Sequence, residues 1–212
     1  MSYDAEATRR RILEAATAEF AEYGLAGARV DRIATAARAN KQAIYLYYGG
    51  KEKLFGAVVQ GTIDELCHAV DMDPSDARVT AERIFDAYLT RPRAVRLMLW
   101  EALEVRGGRV ADEEARRARY QELVRELAPD PEGRRAVQDW LFTLVGLVAW
   151  NFAAPQLARM ILDEPDDAAA LRRRRARVAE AAARMAPAPL AAGDPQSPVR
   201  EPARPAPAAR PR

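Results

Sequence analysis

The chain is poor in the residues that carry redox, metal and nucleophilic chemistry. Its 212 residues include one cysteine, Cys67, and one histidine, His68. A lone cysteine cannot close an intrachain disulfide, which fits a reducing compartment. One Cys beside one His falls short of a tetrahedral zinc site, and both are expected on a core helix. A nucleotide-binding loop and a paired carboxylate motif are also missing. No catalytic residue, cofactor or metal is therefore expected, and the chain does not read as an enzyme. Charge of one sign is scarce: the net value is +2, so the whole molecule is no generic polycation. The first residues, MSYDAEATRRRILEAA, are charged and amphipathic rather than a secretory segment, and a cytoplasmic location is expected.

Long apolar runs are scarce too. Trp140–Ala158 is uncharged, but Thr143, Gly146, Asn151, Pro155 and Gln156 interrupt it, and Asp139 and Arg159 bound it. A membrane span needs about 20 predominantly apolar residues. A helix buried in a core or against a partner is the better reading, with no membrane partner.

β-branched alternation is absent, while Ala, Arg, Glu and Leu dominate, so the chain reads as all-α. The first helix starts near Asp4 and buries Ile12, Leu13, Ala16, Phe20 and Tyr23, recurring at three- and four-residue steps. Gly24 suits the left-handed position after a helix end. Short helices follow at about Val30–Ala37 and Lys41–Tyr47, then a longer one from Lys51 to near Asp71. Further helices are expected at about Ala77–Thr90, Pro92–Arg106, Val110–Leu127, Glu132–Phe152, Gln156–Leu162 and Asp166–Met185. This divides the chain into a three-helix head (1–50), a larger helical body (51–186) and a tail (187–212). The tail holds eight of the fourteen prolines and is expected to be disordered. The arginines Arg172 to Arg175 and Arg177 read as a solvated helix face.

The most informative stretch is Arg29–Lys53, RVDRIATAARANKQAIYLYYGGKEK. It holds six cations against two acids, a bounded basic patch suited to phosphate. Its two short helices and tight turn form a helix-turn-helix pattern. Val30, Ile33, Ala34 and Ala37 face inward on the first, and Ile44 and Tyr48 on the second. Asn40 can cap the second helix. The outer face of that helix offers lysine, glutamine and tyrosine, which can reach base edges or phosphates in duplex DNA.

The run IATAARANKQAIYLYYGGKEKLF, preceded by RRRILEAATAEFAEYG, resembles the N-terminal domain of the TetR (tetracycline-repressor-like) family of transcriptional regulators. The resemblance covers about residues 8–58. It rests on Ile12–Ala16, Phe20 with Gly24, Ile33-Ala34, the Tyr45–Tyr48 cluster and Lys51. By position it implies base contacts from Lys41, Gln42 and Ala43, beside Asn40. It implies phosphate contacts from Tyr45, Tyr47 and Lys51, the lysine sharing a phosphate with the free amides at its helix start. Three positions depart from the family's habit. Arg29 stands where a Thr or Ser cap is usual, Arg38 where the turn usually has Gly, and Gly50 where Ser or Asn often precedes Lys51.

The resemblance further implies that the body forms a homodimer and encloses a small-molecule effector pocket. Val137, Trp140, Leu141, Leu144, Leu147, Val148 and Asn151 cover a face wider than one core needs. An interface through Trp140, Leu144, Leu147 and Val148 follows, in a four-helix bundle of the last two long helices. Trp100, Glu101, Tyr120, Phe142 and Trp150 are candidate pocket residues. The function expected is a ligand-responsive repressor on a palindromic operator in double-stranded DNA. The alternative is a nonspecific or architectural DNA binder without ligand control.

Overall fold

A computed structural model of the chain describes residues 2–105, 108, 110–164 and 168–191, the side chains of 2–4, 189 and 191 excepted. Among these residues every regular element is a helix. The order is α1 (Ser2–Gly27), α2 (Val30–Ala36), α3 (Lys41–Tyr48), α4 (Lys51–Ala69), α5 (Ala77–Thr90), α6 (Pro92–Glu104), α7 (Glu113–Leu127), α8 (Arg134–Ala153), α9 (Pro155–Leu162), α10 (Ala168–Arg184) and α11 (Ala188–Ala191), with a 3-10 turn at Pro131–Gly133 before α8. Expected element starts and ends lie within a few residues of these, apart from Arg106 and Asp166, which lie outside the described residues. Capping explains two of the starts. The Asp76 carboxylate accepts from the amides of Arg78 and Val79 at 2.8 and 3.0 Å, and Pro92 opens α6 where no N–H is needed.

Two apolar clusters form. The first joins Ile12, Ala16 and Phe20 of α1, Ile33 of α2 and Ile44 of α3 to Leu54, Phe55, Val58, Val59 and Ile63 of α4 and Leu97 of α6. The head's core thus extends past residue 50 into the next helix. Phe20 and Phe55 meet edge-on at 5.1 Å. Each such side chain contributes about 1.5–3 kcal/mol by leaving water. The second cluster gathers Ile84, Phe85, Tyr88, Val137, Trp140, Leu144, Val148 and Val178, with Phe152 packed against Phe85 and Tyr88.

Several expectations need correction. Tyr23 is exposed rather than core, its ring lying 4.2 Å from the Arg32 guanidinium carbon. His68 is exposed at the end of α4, where Nδ1 lies 2.6 Å from the Asp64 carbonyl oxygen; Cys67 is half-buried. The arginine run on α10 is only partly solvated. Arg174 is buried, and Arg175 donates to both Asp86 oxygens at 2.8 Å and pairs with Glu82, fastening α10 to α5. The segment Pro131–Ala153 is long and apolar enough to cross a membrane by length and composition. In the fold its Val137, Trp140, Leu144 and Val148 are packed into the body. The tail begins with α11, whose Leu190 is buried; residues 192–212 lie outside the described residues.

Candidate nucleic-acid interface and ligand cavity

The turn between α2 and α3 is closed by two hydrogen bonds, from the Ala39 amide to the Ala34 carbonyl at 2.9 Å and from the Arg38 amide to the Thr35 carbonyl at 3.1 Å. This nested pair is a Schellman closure, which needs a left-handed residue at the position after the helix. Arg38 occupies it at φ +50°, a conformation costing a non-glycine residue roughly 1–2 kcal/mol. The missing cap of α2 has a substitute from another helix. Buried Glu19 of α1 accepts from the Arg29 amide at 2.9 Å and pairs with the Arg32 guanidinium. Arg11 adds a bond from Nε to the Ala37 carbonyl at 3.1 Å. The two short helices are thus held to α1 as one rigid unit.

Asn40 caps α3, its side chain accepting from the Ala43 amide at 2.8 Å, so that oxygen is engaged within the protein. Ile44 is fully buried, which fixes the rotation of the helix and turns Lys41, Gln42 and Tyr45 toward solvent; Ala43 is half-buried. Lys41 forms an exposed ion pair with Asp31 of α2, the kind of contact worth about 0–1 kcal/mol and readily exchanged. Leu46, 78% exposed, stands on the same outward side and was not singled out from the sequence. A leucine on a polar face just beyond Tyr45 is the signal that could have found it. Tyr47 is half-buried under Arg9, 4.9 Å from its ring centre. Tyr48 donates from its hydroxyl to the Arg9 carbonyl at 2.9 Å, anchoring α3 to α1. Lys51 is half-buried, its Nζ donating to the Ala28 carbonyl at 3.3 Å. Gly49 caps α3 in the left-handed region, and Gly50 precedes α4 at φ +138°, ψ +178°, a conformation essentially limited to glycine.

The head is latched to the body through α6. Arg96 Nε donates to the Ala21 carbonyl at 2.7 Å, Trp100 Nε1 to the same oxygen at 3.4 Å, and the Ala26 amide donates to Glu104 at 3.0 Å. Gly24 lies beneath this latch at φ +67°; a Cβ there would stand 2.8 Å from the Trp100 ring and 2.6 Å from Glu104 Oε1.

This placement removes Trp100 from the expected pocket: it packs against the head cluster. Trp150 is also outside, on a groove of α8 and α9 with Leu147, Leu157 and Ile161. Tyr120 and Phe142 do border a mainly apolar cavity of about 410 Å³, with Ile63, Leu66, Tyr88 and Leu141 among its walls. Glu101 borders a neighbouring cavity of about 540 Å³ that shares Ile63, Met98, Tyr120 and Gln121 with the first. The expected dimer residues divide as well. Trp140 is 4% exposed, donating from Nε1 to the Ala182 carbonyl at 3.0 Å, and Leu144 and Val148 are fully buried. These three serve the protomer's own core; only Leu147 reaches the surface. Exposed apolar residues on α8 and α9 include Phe142 (84%), Trp150 (60%), Met160 (73%) and Ile161 (70%).

Burial, first of all, pushes the Tyr88 phenol up to about 12 from its ordinary value near 10. The fold therefore favours the neutral form. That contribution to stability is complete below pH 10 and is lost as pH rises from 10 to 12. Chemical unfolding across this window should show a steeper loss for the natural chain than for Tyr88→Phe.

A three-helix head that turns a capped polar helix outward, carried on a helical body with an apolar cavity, defines a helix-turn-helix DNA-binding regulator. The chain belongs to the TetR family. Residues 12–58 match the bacterial regulatory proteins of the tetR family, and residues 79–184 match the tetracyclin repressor-like C-terminal domain. The chain is 39% identical over 171 residues to the HTH-type transcriptional repressor SCO4008 of Streptomyces coelicolor, covering 77% of this chain and 88% of that protein. It is 36% identical over 106 residues to the HTH-type transcriptional repressor NicS of Pseudomonas putida, covering 47% and 50%. The crystal structure of SCO4942 from Streptomyces coelicolor superposes with a TM-score of 0.68 at 33% identity, covering 84% of this chain and 97% of that one.

Proposed function

We propose that this protein is a transcriptional repressor that binds a palindromic operator as a homodimer and lets go when a small molecule enters its body. The observation that carries the reading is the orientation of α3. Ile44 is buried while Lys41, Gln42 and Tyr45 face solvent beside exposed Leu46. A helix so turned can enter a major groove, with Gln42 pairing bidentately with adenine, Lys41 leaving Asp31 for guanine or phosphate, and Leu46 meeting thymine methyls. Asn40 acts by holding the helix start. Tyr45, and Tyr47 with Arg9 above it, are placed for the flanking phosphates; Lys51 joins them by giving up its bond to the Ala28 carbonyl.

Pairing of two copies through the exposed α8–α9 face would set two such helices about 34–36 Å apart, one DNA turn. Ligand control follows from shared residues. Ile63 belongs to the head's core and also borders both cavities. On α6, Met98 and Glu101 border cavity space while Arg96, Trp100 and Glu104 hold the head. A ligand that favours another setting of α4 and α6 shifts the population away from the DNA-binding arrangement. A coupling of about 1–3 kcal/mol changes operator affinity roughly 5–150-fold.

The test is Gln42→Ala in binding titrations on an operator and on single-base variants of it. Affinity for the operator should fall by about 1–3 kcal/mol, with discrimination relaxed at one base pair of each half-site. An equal loss on operator and scrambled DNA would favour the nonspecific binder instead.

A further inference from the structure

Arg116 on α7 is 6% exposed. Its Nε donates to Gln60 Oε1 of α4 at 2.7 Å, and Nη1 to Glu101 Oε2 of α6 at 2.7 Å. The other terminal nitrogen, Nη2, is buried with no hydrogen-bond partner among the described residues. An unsatisfied buried donor on a cation is expensive, and native folds rarely leave one. The residue borders the 540 Å³ cavity, which adjoins the apolar one across Ile63, Met98, Tyr120 and Gln121. At the far side of that shared wall the Tyr88 hydroxyl has only the Met98 sulfur, at 3.9 Å, as acceptor among the described residues. Arg116 and Tyr88, each with a buried donor, thus line two adjoining cavities whose remaining walls are mostly apolar.

We infer that the effector is an uncharged, largely apolar molecule whose oxygen acceptor, a carbonyl or comparable group, accepts from Arg116 Nη2. The inference rests on the effector reading above and adds the chemistry of the ligand. The acceptor follows from the donor left over. Neutrality follows from the surrounding charges. Arg116 and Arg117 are balanced by Glu101 and Glu113 in the same wall, and Glu101 already neutralises Arg116. An anionic ligand would meet the Glu101 carboxylate at close range, and a cationic one would meet the Arg116 and Arg117 guanidinium groups. The apolar body would extend past Tyr120 toward Leu66, Ile84 and Leu141. Because Arg116 joins α4 to α6 through Gln60 and Glu101, a ligand oxygen on Nη2 would act at the junction of the two helices that reach the head.

Two dyes test this on the intact protein. Prodan is an uncharged naphthalene bearing a propionyl carbonyl, and its emission moves to the red when that oxygen accepts a hydrogen bond. Its analogue with the carbonyl reduced to methylene has the same body without the acceptor. The natural chain should bind prodan about tenfold more tightly than the analogue, since one charge-assisted hydrogen bond is worth at least that factor. In the double variant Glu101→Met with Arg116→Met, which replaces the ion pair by apolar groups of similar length, the two affinities should become equal and bound prodan should emit further to the blue. Arg116→Lys keeps the charge but has a single terminal nitrogen. It should lose the preference while binding the analogue as before, which guards against misfolding of the double variant. A preference that survives in both variants, or equal affinities in the natural chain, overturns the Arg116 anchor and leaves the cavity reading standing. Failure of both dyes to bind overturns the effector cavity itself.

Discussion

Replacing Trp150 by aspartate should leave each protomer folded and convert the proposed dimer to monomers with operator affinity lower by a factor on the order of 100 or more. Trp150 is 60% exposed and lines the α8–α9 groove with Leu147, Leu157 and Ile161. Gly146 in the same groove has open space where a side chain would stand, room for a partner helix to come close. Large aromatic residues in such settings dominate association energy. An aspartate there would be buried without a counter-ion, a cost that association cannot offset. The protomer loses almost nothing, because surface changes away from special features stay within about 0.5 kcal/mol. Monomers also lose the gain of binding two half-sites at once, commonly 10²–10⁴. Sedimentation gives the mass and a titration gives the affinity. A dimer that persists unchanged would remove this face from the interface.

Trp140→Ala should act through the fold. The side chain is almost fully buried, and its Nε1 ties α8 to the Ala182 carbonyl on α10. Truncation leaves a cavity and an unsatisfied carbonyl, at about 3–5 kcal/mol. Against a total of roughly 5–15 kcal/mol, that is enough to lower the denaturant midpoint sharply. A loss below 1 kcal/mol would contradict the burial. The two tryptophans on one helix are thus expected to fail differently, one by separating subunits and the other by unfolding them.

The contrast shows where the sequence was readable. α8 is apolar around most of its circumference, so no periodicity says which side serves the protomer. Trp140, Leu144 and Val148 recur at four-residue steps on one side; Phe142, Gly146 and Trp150 do the same, two residues later, on another. Packing by α5, α7 and α10 decides between them. The head was more legible because its rules are local. Ile12, Phe20, Ile33 and Ile44 take the core as their spacing requires and Asn40 caps as its position requires, while Gly24 takes a positive φ but an extended ψ of −176° rather than the left-handed pair expected of it, kinking α1. The pocket was less so. Trp100 and Glu101 are adjacent, but successive residues on a helix point about 100° apart, and one meets the head while the other meets Arg116. Arg116 itself sits among Arg117 and Arg119 with nothing in the sequence to mark it as the buried one. The substitute cap from Glu19 links residues ten apart through a change of helix, beyond what local pattern can reveal.

Arg38 has a practical consequence. Its backbone holds a shape that glycine would adopt without strain, beside the helix proposed to enter DNA. Selection for heat resistance alone would readily accept glycine there and discard a positive charge in the process. A hardened variant of this protein should therefore be checked for its grip on polyanions before it is taken as an improved one.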